Sequence, residues 1–299
     1  MSMSFKNLID KKKQLILVGV TEPIEALMLK VAGFKAAYIS GAALSASLGF
    51  LDEGRITLDK MIQTVSDIRK VSDLPLLVDC DTGLLPEVAE LPFDNTASMK
   101  ENAHIMTHLL ADAGADGVQI EDQLPTEKRC GHLSGKKLIS TNDMFWKVRM
   151  VAQQRRSKDL LVVARTDARA VEGLDAAIFR AHRYINAGAD AIFPEALESL
   201  EEFKEFRRQV PKIPLVANLA EHGKTPPLVA DQLFDAGYQI VLIPATPFRM
   251  MLKTFETALE EIRRFGSLNF AVENDELISR NELNKFIKKR SKIYKKKTA

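Results

Sequence analysis

The chain contains 299 residues, of which 46% are hydrophobic and 27% are charged, and its formal net charge is +2. These values are typical of a globular protein and do not indicate a general nucleic-acid-binding surface. Two cysteines do not provide a disulfide framework, and no apolar run approaches a membrane span, so we expect a cytoplasmic protein without membrane or nucleic-acid partners.

Short apolar runs alternate with helical patterns through most of the chain. The runs predict buried parallel strands at 15–18, 36–39, 76–78, 117–120, 160–164, 191–193, 215–218 and 239–243. Helical patterns follow at about 23–32, 57–70, 98–113, 143–156, 175–187, 198–209, 227–236 and 247–265.

Eight strand–helix units predict an α/β fold of the (β/α)8 TIM barrel type. A doubly wound open sheet is the competing fold, but no Gly-x-Gly-x-x-Gly turn follows the first strand. A further helical pattern at 275–291 lies outside the eight units. We therefore expect one barrel domain over 1–299, with a C-terminal helical extension at about 268–299.

Polar residues stand where the apolar runs end, and barrels keep their active sites at this rim. The residues concerned are Ser40, Asp79, Asp81, Glu121, Asp122, Arg165, Asp167, Glu195 and Asn218. Such a concentration of polar groups at one rim predicts an enzyme.

Asp79, Asp81 and Glu121 would form an oxygen-rich site of the kind that Mg²⁺ prefers. Magnesium keeps several waters, so some of these acids would contact it only through water. The alternative is that the acids cap the helices that follow them.

Arg165 at a strand end would bind a carboxylate, or an internal partner such as Asp167 or Glu195. Arg249 is a second candidate anchor. The six strand ends carry no lysine, which argues against a Schiff-base aldolase, and no phosphate loop follows the seventh or eighth strand. A di- or tricarboxylate is therefore the expected substrate.

Two long connections, at 41–55 and 123–140, are candidate active-site lids. The second contains Cys130 among basic residues and glycines, a setting that favours a reactive thiol and an acid–base role. A small buried hydrophobe is the alternative for a cysteine, and it fits Cys80 better.

Seven segments resemble the isocitrate lyase/phosphoenolpyruvate mutase superfamily, over residues of about 14 to 290. They are Tyr38-Ile39-Ser40-Gly41, Asp79-Cys80-Asp81-Thr82-Gly83, Ile120-Glu121-Asp122-Gln123, Lys128-Arg129-Cys130-Gly131-His132, Ala164-Arg165-Thr166-Asp167-Ala168, Phe193-Pro194-Glu195-Ala196 and Arg280-Asn281-Glu282-Leu283. The Lys-Arg-Cys-Gly-His loop is the most specific segment, and it is similar to the carbon–carbon lyase branch.

The resemblance implies a Mg²⁺-dependent retro-aldol cleavage of a tricarboxylate, with Asp79 and Asp81 on the metal, Glu121 nearby and Cys130 as proton donor. It assigns substrate contacts to Ser40, Gly41, Ala42, Gly131, Arg165, Glu195, Asn218, Leu219, Ala220, Arg249 and Arg280. The catalytic base stays open between Tyr38 and a water on the metal. The resemblance also implies a homotetramer whose last helix is swapped between neighbours.

One departure from the superfamily borders the expected metal site. Related lyases continue after the second Asp with Thr-Gly-Phe-Gly, whereas here Thr82-Gly83 leads into an insertion at 84–95. Because this insertion borders the metal site, the shape of the substrate stays open. One alternative is a related lyase or hydrolase, acting for example on 2,3-dimethylmalate or oxaloacetate. The other is a non-catalytic barrel that binds a dicarboxylate, or a nucleic acid through its basic C-terminal tail.

Overall fold

The computed structural model describes residues 5–9, 14–83, 96–131, 133–221, 223–267 and 278–291. The insertion at 84–95, His132 and most of the C-terminal extension lie outside the described residues. Within the described ranges, no helix combines the length and the apolar character that crossing a membrane requires.

Eight parallel strands form one sheet in the order β6-β5-β4-β3-β2-β1-β8-β7. They are β1 (Leu15–Val20), β2 (Ala37–Ile39), β3 (Leu76–Asp79), β4 (Gly117–Glu121), β5 (Leu161–Thr166), β6 (Ala191–Pro194), β7 (Val216–Asn218) and β8 (Ile240–Ile243). A parallel bridge between Ile192 and Leu215 joins β6 to β7. The predicted TIM-barrel fold is therefore confirmed.

Helices surround the strands and connect each one to the next. They are α1 (Phe5–Leu8), α2 (Pro23–Val31), α3 (Gly41–Ser47), α4 (Leu58–Val71), α5 (Thr96–Ala113), α6 (Thr141–Gln154), α7 (Leu174–Ala187), α8 (Leu200–Gln209), α9 (Ala230–Asp235), α10 (Thr246–Phe265) and α11 (Arg280–Arg290). Helix α11 packs against α2 of the same chain.

Two hydrophobic clusters stabilise the barrel. The inner cluster contains strand side chains such as Leu17, Leu77 and Val163, and Phe5 of α1 joins it. Filling of the barrel interior by alternate strand residues is characteristic of this fold. The outer cluster lies between strands and helices. These two layers leave polar side chains at the carboxyl ends of the strands, where the barrel opens.

The structure differs from the sequence-based expectation in the connection after β2. Residues 41–55 were expected to be a loop, but they begin with the helix α3. Ser40 caps this helix by accepting a hydrogen bond from the Ala43 amide at 3.3 Å. Because the following residues are small, the helix can lie close to the ends of β2 and β3.

Candidate active site

A cavity lies at the carboxyl ends of the strands and contains most of the side chains expected there. Register places Glu121 of β4 beside Arg165 of β5. The cavity is lined by Tyr38, Ser40, Ala42, Asp52, Asp79, Asp81, Glu121, Lys128, Arg129, Cys130, Gly131, Arg165, Phe193, Glu195, Asn218, Leu242 and Pro244. Tertiary structure therefore brings the candidate metal ligands, Arg165 and Cys130 to one site.

Main-chain groups orient the two aspartates after β3. Asp79 accepts hydrogen bonds from the Gly41 amide at 3.1 Å and from the Asp81 amide at 3.2 Å. Asp81 has a φ of 46°, a left-handed conformation that Asp tolerates better than most residues. A Cβ at Gly41 would lie 3.2 Å from oxygens of both aspartates. A glycine at position 41 therefore avoids crowding between this backbone and the two carboxylates.

Lys128 contacts acidic residues of the site that lie far from it in the sequence. The Lys128 ammonium lies 2.7 Å from Asp81 Oδ1 and also contacts Asp52. Although burial lowers the pKa of Lys128, the surrounding carboxylates raise it above its ordinary value. Lys128 therefore stays charged and joins the 123–140 loop to both Asp81 and the connection after α3. The only indication of this role in the sequence was that Lys128 belongs to the Lys-Arg-Cys-Gly-His segment.

The cavity is more acidic than basic. Five carboxylates and three cationic side chains line it. Burial is the main cause that raises the pKa of Asp81 to about 7 and raises that of Glu121 well above its ordinary value. Asp81 Oδ2 and Glu121 Oε1 are buried without a hydrogen-bond partner among the described residues. Unsatisfied buried oxygens and excess negative charge are what a divalent cation would neutralise.

The described residues do not include three His, Cys, Asp or Glu side chains arranged to hold an ion by themselves. Mg²⁺ is often bound through one or two carboxylates together with waters and substrate oxygens, so two or three acids at this spacing fit it. The residues present are therefore compatible with Mg²⁺, with substrate and water completing the coordination.

Arg165 has the internal partners that the sequence left open. Its Nε and Nη2 donate to Asp167 at 2.9 and 3.0 Å, and its Nε lies 3.3 Å from Glu121 Oε2. Burial lowers the pKa of Arg165, but Asp167, Glu195 and Glu121 raise it well above its ordinary value. Nη1 lies 3.7 Å from Glu195, beyond hydrogen-bond distance. Nη1 therefore faces Glu195 without contacting it at hydrogen-bond distance.

Tyr38 is buried and donates a hydrogen bond to Gln119 Oε1 at 2.6 Å. Burial and the nearby Asp79 raise the pKa of Tyr38 well above its ordinary value. The phenol therefore holds its proton at neutral pH, which favours a role as a neutral hydrogen-bonding group over that of the base. Gln119 was missed in the sequence because it lies inside an apolar strand.

The 123–140 loop lies over the cavity. Gln123 bridges to Leu138, and its side chain exchanges hydrogen bonds with the Arg129 main chain at 2.9 and 3.0 Å. A Cβ at Gly131 would overlap the Arg165 guanidinium and lie 3.0 Å from Glu195 Oε1. This glycine lets the loop backbone approach Arg165, and it places the half-buried Cys130 on the cavity wall.

The remaining candidate residues divide into two groups. Glu195 accepts from Asn218 Nδ2 at 3.1 Å, and Ser40 and Ala42 lie on the cavity wall. In contrast, five candidates are outside the cavity lining: Gly41, Leu219, Ala220, Arg249 and Arg280. Arg249 is exposed and lies 3.7 Å from Glu221 Oε2. Arg280 is exposed at the start of α11.

Asp122 follows Glu121 but serves a different purpose. It accepts hydrogen bonds from Thr166, Tyr184 and the Asp167 amide at 2.7, 2.7 and 2.9 Å. Arg180 lies 3.3 Å away. Side chains alternate between the two faces of a strand, so Asp122 supports the site from the helix layer and is not part of the cavity.

The barrel and its charged cavity define a TIM-barrel enzyme. Residues 5–263 match the family described as phosphoenolpyruvate phosphomutase. The 2-methylisocitrate lyase of Aeropyrum pernix is 45% identical over 93% of this chain and 84% of its own. That of Bacillus subtilis is 43% identical over 88% of this chain and 82% of its own. The chain belongs to the phosphoenolpyruvate phosphomutase family, within the isocitrate lyase/phosphoenolpyruvate mutase superfamily.

Solved structures agree with this assignment. 2,3-Dimethylmalate lyase, a member of the same superfamily, has a TM-score of 0.83 and 28% identity, covering 94% of this chain and 89% of its own. Phosphonopyruvate hydrolase, solved with oxalate and Mg²⁺, has a TM-score of 0.79 and 24% identity, covering 95% and 93%. The second likeness supports the fold.

Proposed function

We propose that the protein is a Mg²⁺-dependent lyase that cleaves 2-methylisocitrate to pyruvate and succinate in the cytoplasm, a reaction of propionate catabolism in the methylcitrate cycle. Support comes from the high identity to 2-methylisocitrate lyases over most of the chain. The observation that carries the proposal is the meeting of oxygen donors, Arg165 and the loop thiol in one cavity.

Asp79, Asp81 and Glu121 would hold the metal ion, directly or through water. When bound, Mg²⁺ supplies positive charge that stabilises the oxygen of the substrate hydroxyl as it loses its proton. Gly41 and Lys128 keep the aspartates in place through the contacts described above. The excess of carboxylates over cations in the cavity supports this assignment.

The substrate's carbon–carbon bond breaks as its hydroxyl gives its proton to a water molecule that acts as the base, and the hydroxyl oxygen becomes the carbonyl oxygen of pyruvate. The bonding electron pair passes to the succinate half, where negative charge develops on a carboxylate and its neighbouring carbon. Arg165 would stabilise this charge through Nη1, the nitrogen that faces Glu195 at 3.7 Å. Preorganised donors of this kind contribute about 3 kcal/mol each to transition-state stabilisation.

Cys130 would then donate its thiol proton to the carbanion carbon, completing succinate. Its position on the cavity wall, next to the buried Gly131, supports this role. The loop at 123–140 excludes water while the carbanion exists, because early protonation or side reactions would compete with orderly product formation. Tyr38, whose hydroxyl proton is donated to Gln119, would orient the substrate as a neutral hydrogen-bond acceptor.

A panel of substrates tests the proposal. Purified protein with MgCl₂ is incubated with 2-methylisocitrate, isocitrate, 2,3-dimethylmalate or oxaloacetate, and the products are identified by chromatography. We expect the largest kcat/KM for 2-methylisocitrate, with equal amounts of pyruvate and succinate. A larger value for 2,3-dimethylmalate or oxaloacetate would assign the chain to the other activities of its superfamily. Ligand-dependent thermal shifts without any product would indicate a binding protein.

We also propose a homotetramer, in which α10 and the C-terminal helix contact neighbouring copies. Large apolar side chains are exposed along α10: Met250, Met251, Leu252, Phe255, Leu259, Ile262 and Phe265. Phe255 alone is 61% exposed. Apolar surface of this extent marks a protein interface. Sedimentation velocity should give a tetramer for the native chain and smaller species for Phe255→Glu, and a native monomer would contradict the proposal.

A further inference from the structure

Lys136 is a buried lysine of the 123–140 loop that the proposed chemistry does not use. Its side chain is 1% exposed, and its ammonium lies 2.6 Å from Asp167 Oδ1. The same ammonium donates to the Gly131 carbonyl at 2.6 Å. Burying an ammonium group lowers the stability of the fold unless the group is paired and hydrogen-bonded. The two acceptors therefore stabilise the Lys136 ammonium in its buried position. Lys136 is absent from the cavity lining.

Both acceptors belong to the active site. Asp167 is completely buried and holds the Arg165 guanidinium through two hydrogen bonds. Gly131 follows Cys130 and packs against the same guanidinium. The Lys136 ammonium therefore connects the loop backbone beside the thiol to the carboxylate that orients Arg165.

We propose that Lys136 is a positioning residue, which fixes the Cys130–Gly131 segment over the cavity by tying the Gly131 carbonyl to the Arg165–Asp167 pair. The thiol then reaches its working position together with the correctly oriented guanidinium. This inference rests on the proposed function, in which Cys130 supplies a proton and Arg165 stabilises charge. It assigns no contact between Lys136 and the substrate.

Lys137 offers a matched control in the next position of the chain. Its side chain is 61% exposed, and its ammonium lies 2.8 Å from Glu127 Oε1 at the surface. Replacing either lysine with methionine removes the same charge and keeps an unbranched side chain of similar length. A difference between the two variants therefore reports the buried contacts of Lys136.

The experiment compares Lys136→Met, Lys136→Arg and Lys137→Met by two measurements. The first is kcat and KM with 2-methylisocitrate. The second is the rate at which iodoacetamide alkylates Cys130, followed by peptide mass spectrometry in the absence of substrate. Cys80 is buried and serves as the internal reference for global opening.

We expect Lys136→Met to lower kcat about 100-fold with KM changed less than about threefold, because a small misplacement of a reacting group costs this much. Cys130 should be alkylated about 10-fold faster, because the loop has lost the hydrogen bond from Lys136 to the Gly131 carbonyl. Cys80 should stay protected. Lys136→Arg should recover part of kcat because it restores a cationic donor. Lys137→Met should match the native protein.

The proposal is overturned if Lys136→Met and Lys137→Met agree in both measurements. It is also overturned if Lys136→Met loses kcat with unchanged Cys130 alkylation, since Lys136 would then not hold the loop segment. The same holds if both cysteines become reactive together, since that result indicates a role in stability alone. Should Lys136→Met fail to fold, Lys136→Gln takes its place with the same expectations. Absence of product from the native protein would refute the proposed function, whereas the alkylation comparison would still test Lys136.

Discussion

The two halves of the barrel mouth differ in how far their charged side chains are buried and paired with one another. The charged rim, formed at the ends of β3 to β6, contains buried acids and cations that contact one another. The open rim, at β7, β8 and the start of α10, contains Asn218 inside and the exposed pair of Arg249 and Glu221 outside. The charged rim is preorganised, as the proposed bond-breaking step requires, whereas the open rim offers an exposed arginine that the proposal could use for a further substrate carboxylate.

Removal of the metal ion tests the charged rim with the largest expected effect. Dialysis against EDTA should abolish pyruvate formation, because Asp79, Asp81 and Glu121 would then face the substrate with uncompensated negative charge. Excess MgCl₂ should restore pyruvate formation. Dialysis against EDTA that has first been saturated with MgCl₂ is the control. Full activity in excess EDTA would remove the metal from the proposal.

Replacement of the loop thiol is expected to have the next largest effect. Cys130→Ser should lower kcat by about 10² to 10⁴-fold, the usual contribution of a positioned proton donor, with substrate affinity almost unchanged. Isothermal calorimetry and product assays measure the two quantities. Cys80→Ser is a matched thiol replacement at a buried position outside the cavity lining. Native turnover in Cys130→Ser would exclude the thiol from the mechanism.

Arg249 tests whether the open rim binds substrate carboxylates. We expect Arg249→Met to raise KM roughly 10-fold or more, since a hydrogen bond between charged groups contributes about 1.5–3 kcal/mol. The kcat should change little, because the proposal puts the reacting bond at the charged rim. Arg208→Met removes another exposed arginine that is paired with a glutamate and is the control. An unchanged KM would show that the open rim lacks this anchor.

Acid stability distinguishes the buried ion pairs of the charged rim from surface pairs. Burial raises the pKa of Asp167, but Arg165 and Lys136 lower it to about 2 from an ordinary value of 3.8. Asp167 therefore stabilises the fold above about pH 4 and loses this contribution as pH falls towards 2. The contribution is about 2 kcal/mol at neutral pH.

Urea unfolding at pH 6 and pH 3 measures this effect. Asp167→Asn should be less stable than the native chain at pH 6, and the difference should narrow at pH 3. Asp159→Asn, at an exposed position, should show no such change with pH. A difference in unfolding free energy that is equal at both pH values would contradict the assigned protonation of Asp167.

The smallest expected effect on activity comes from the hydrogen bonds that hold Asp122 behind the charged rim. Tyr184→Phe removes the hydroxyl that donates to Asp122 at 2.7 Å. Loss of this hydrogen bond, and of the one that the hydroxyl accepts from Arg180 at 3.2 Å, should lower the unfolding free energy by about 1–3 kcal/mol. The kcat should stay within about twofold, because Thr166, Arg180 and the Asp167 amide still hold Asp122. A large loss of kcat would contradict this prediction and would show that Tyr184 contributes to catalysis.

The amino-acid sequence by itself determined the barrel and the positions of its strand ends. Repeated apolar runs and helical patterns impose parallel strands with helices outside them, and the end of each run marks the rim. Asp79, Asp81, Glu121, Arg165 and Glu195 could be selected in this way. Their residue types also indicated an oxygen-rich site and a carboxylate anchor.

Tertiary structure decided which neighbours satisfy these groups. Lys128 lies next to Asp81, and Lys136 lies next to Asp167, although each pair is far apart in the sequence. Local patterns report which face a residue occupies, whereas ion pairs between loops depend on how the barrel closes and how the 123–140 loop lies across it. The exposed position of Arg249, outside the cavity lining, likewise followed from the packing of α10, which its sequence alone did not fix.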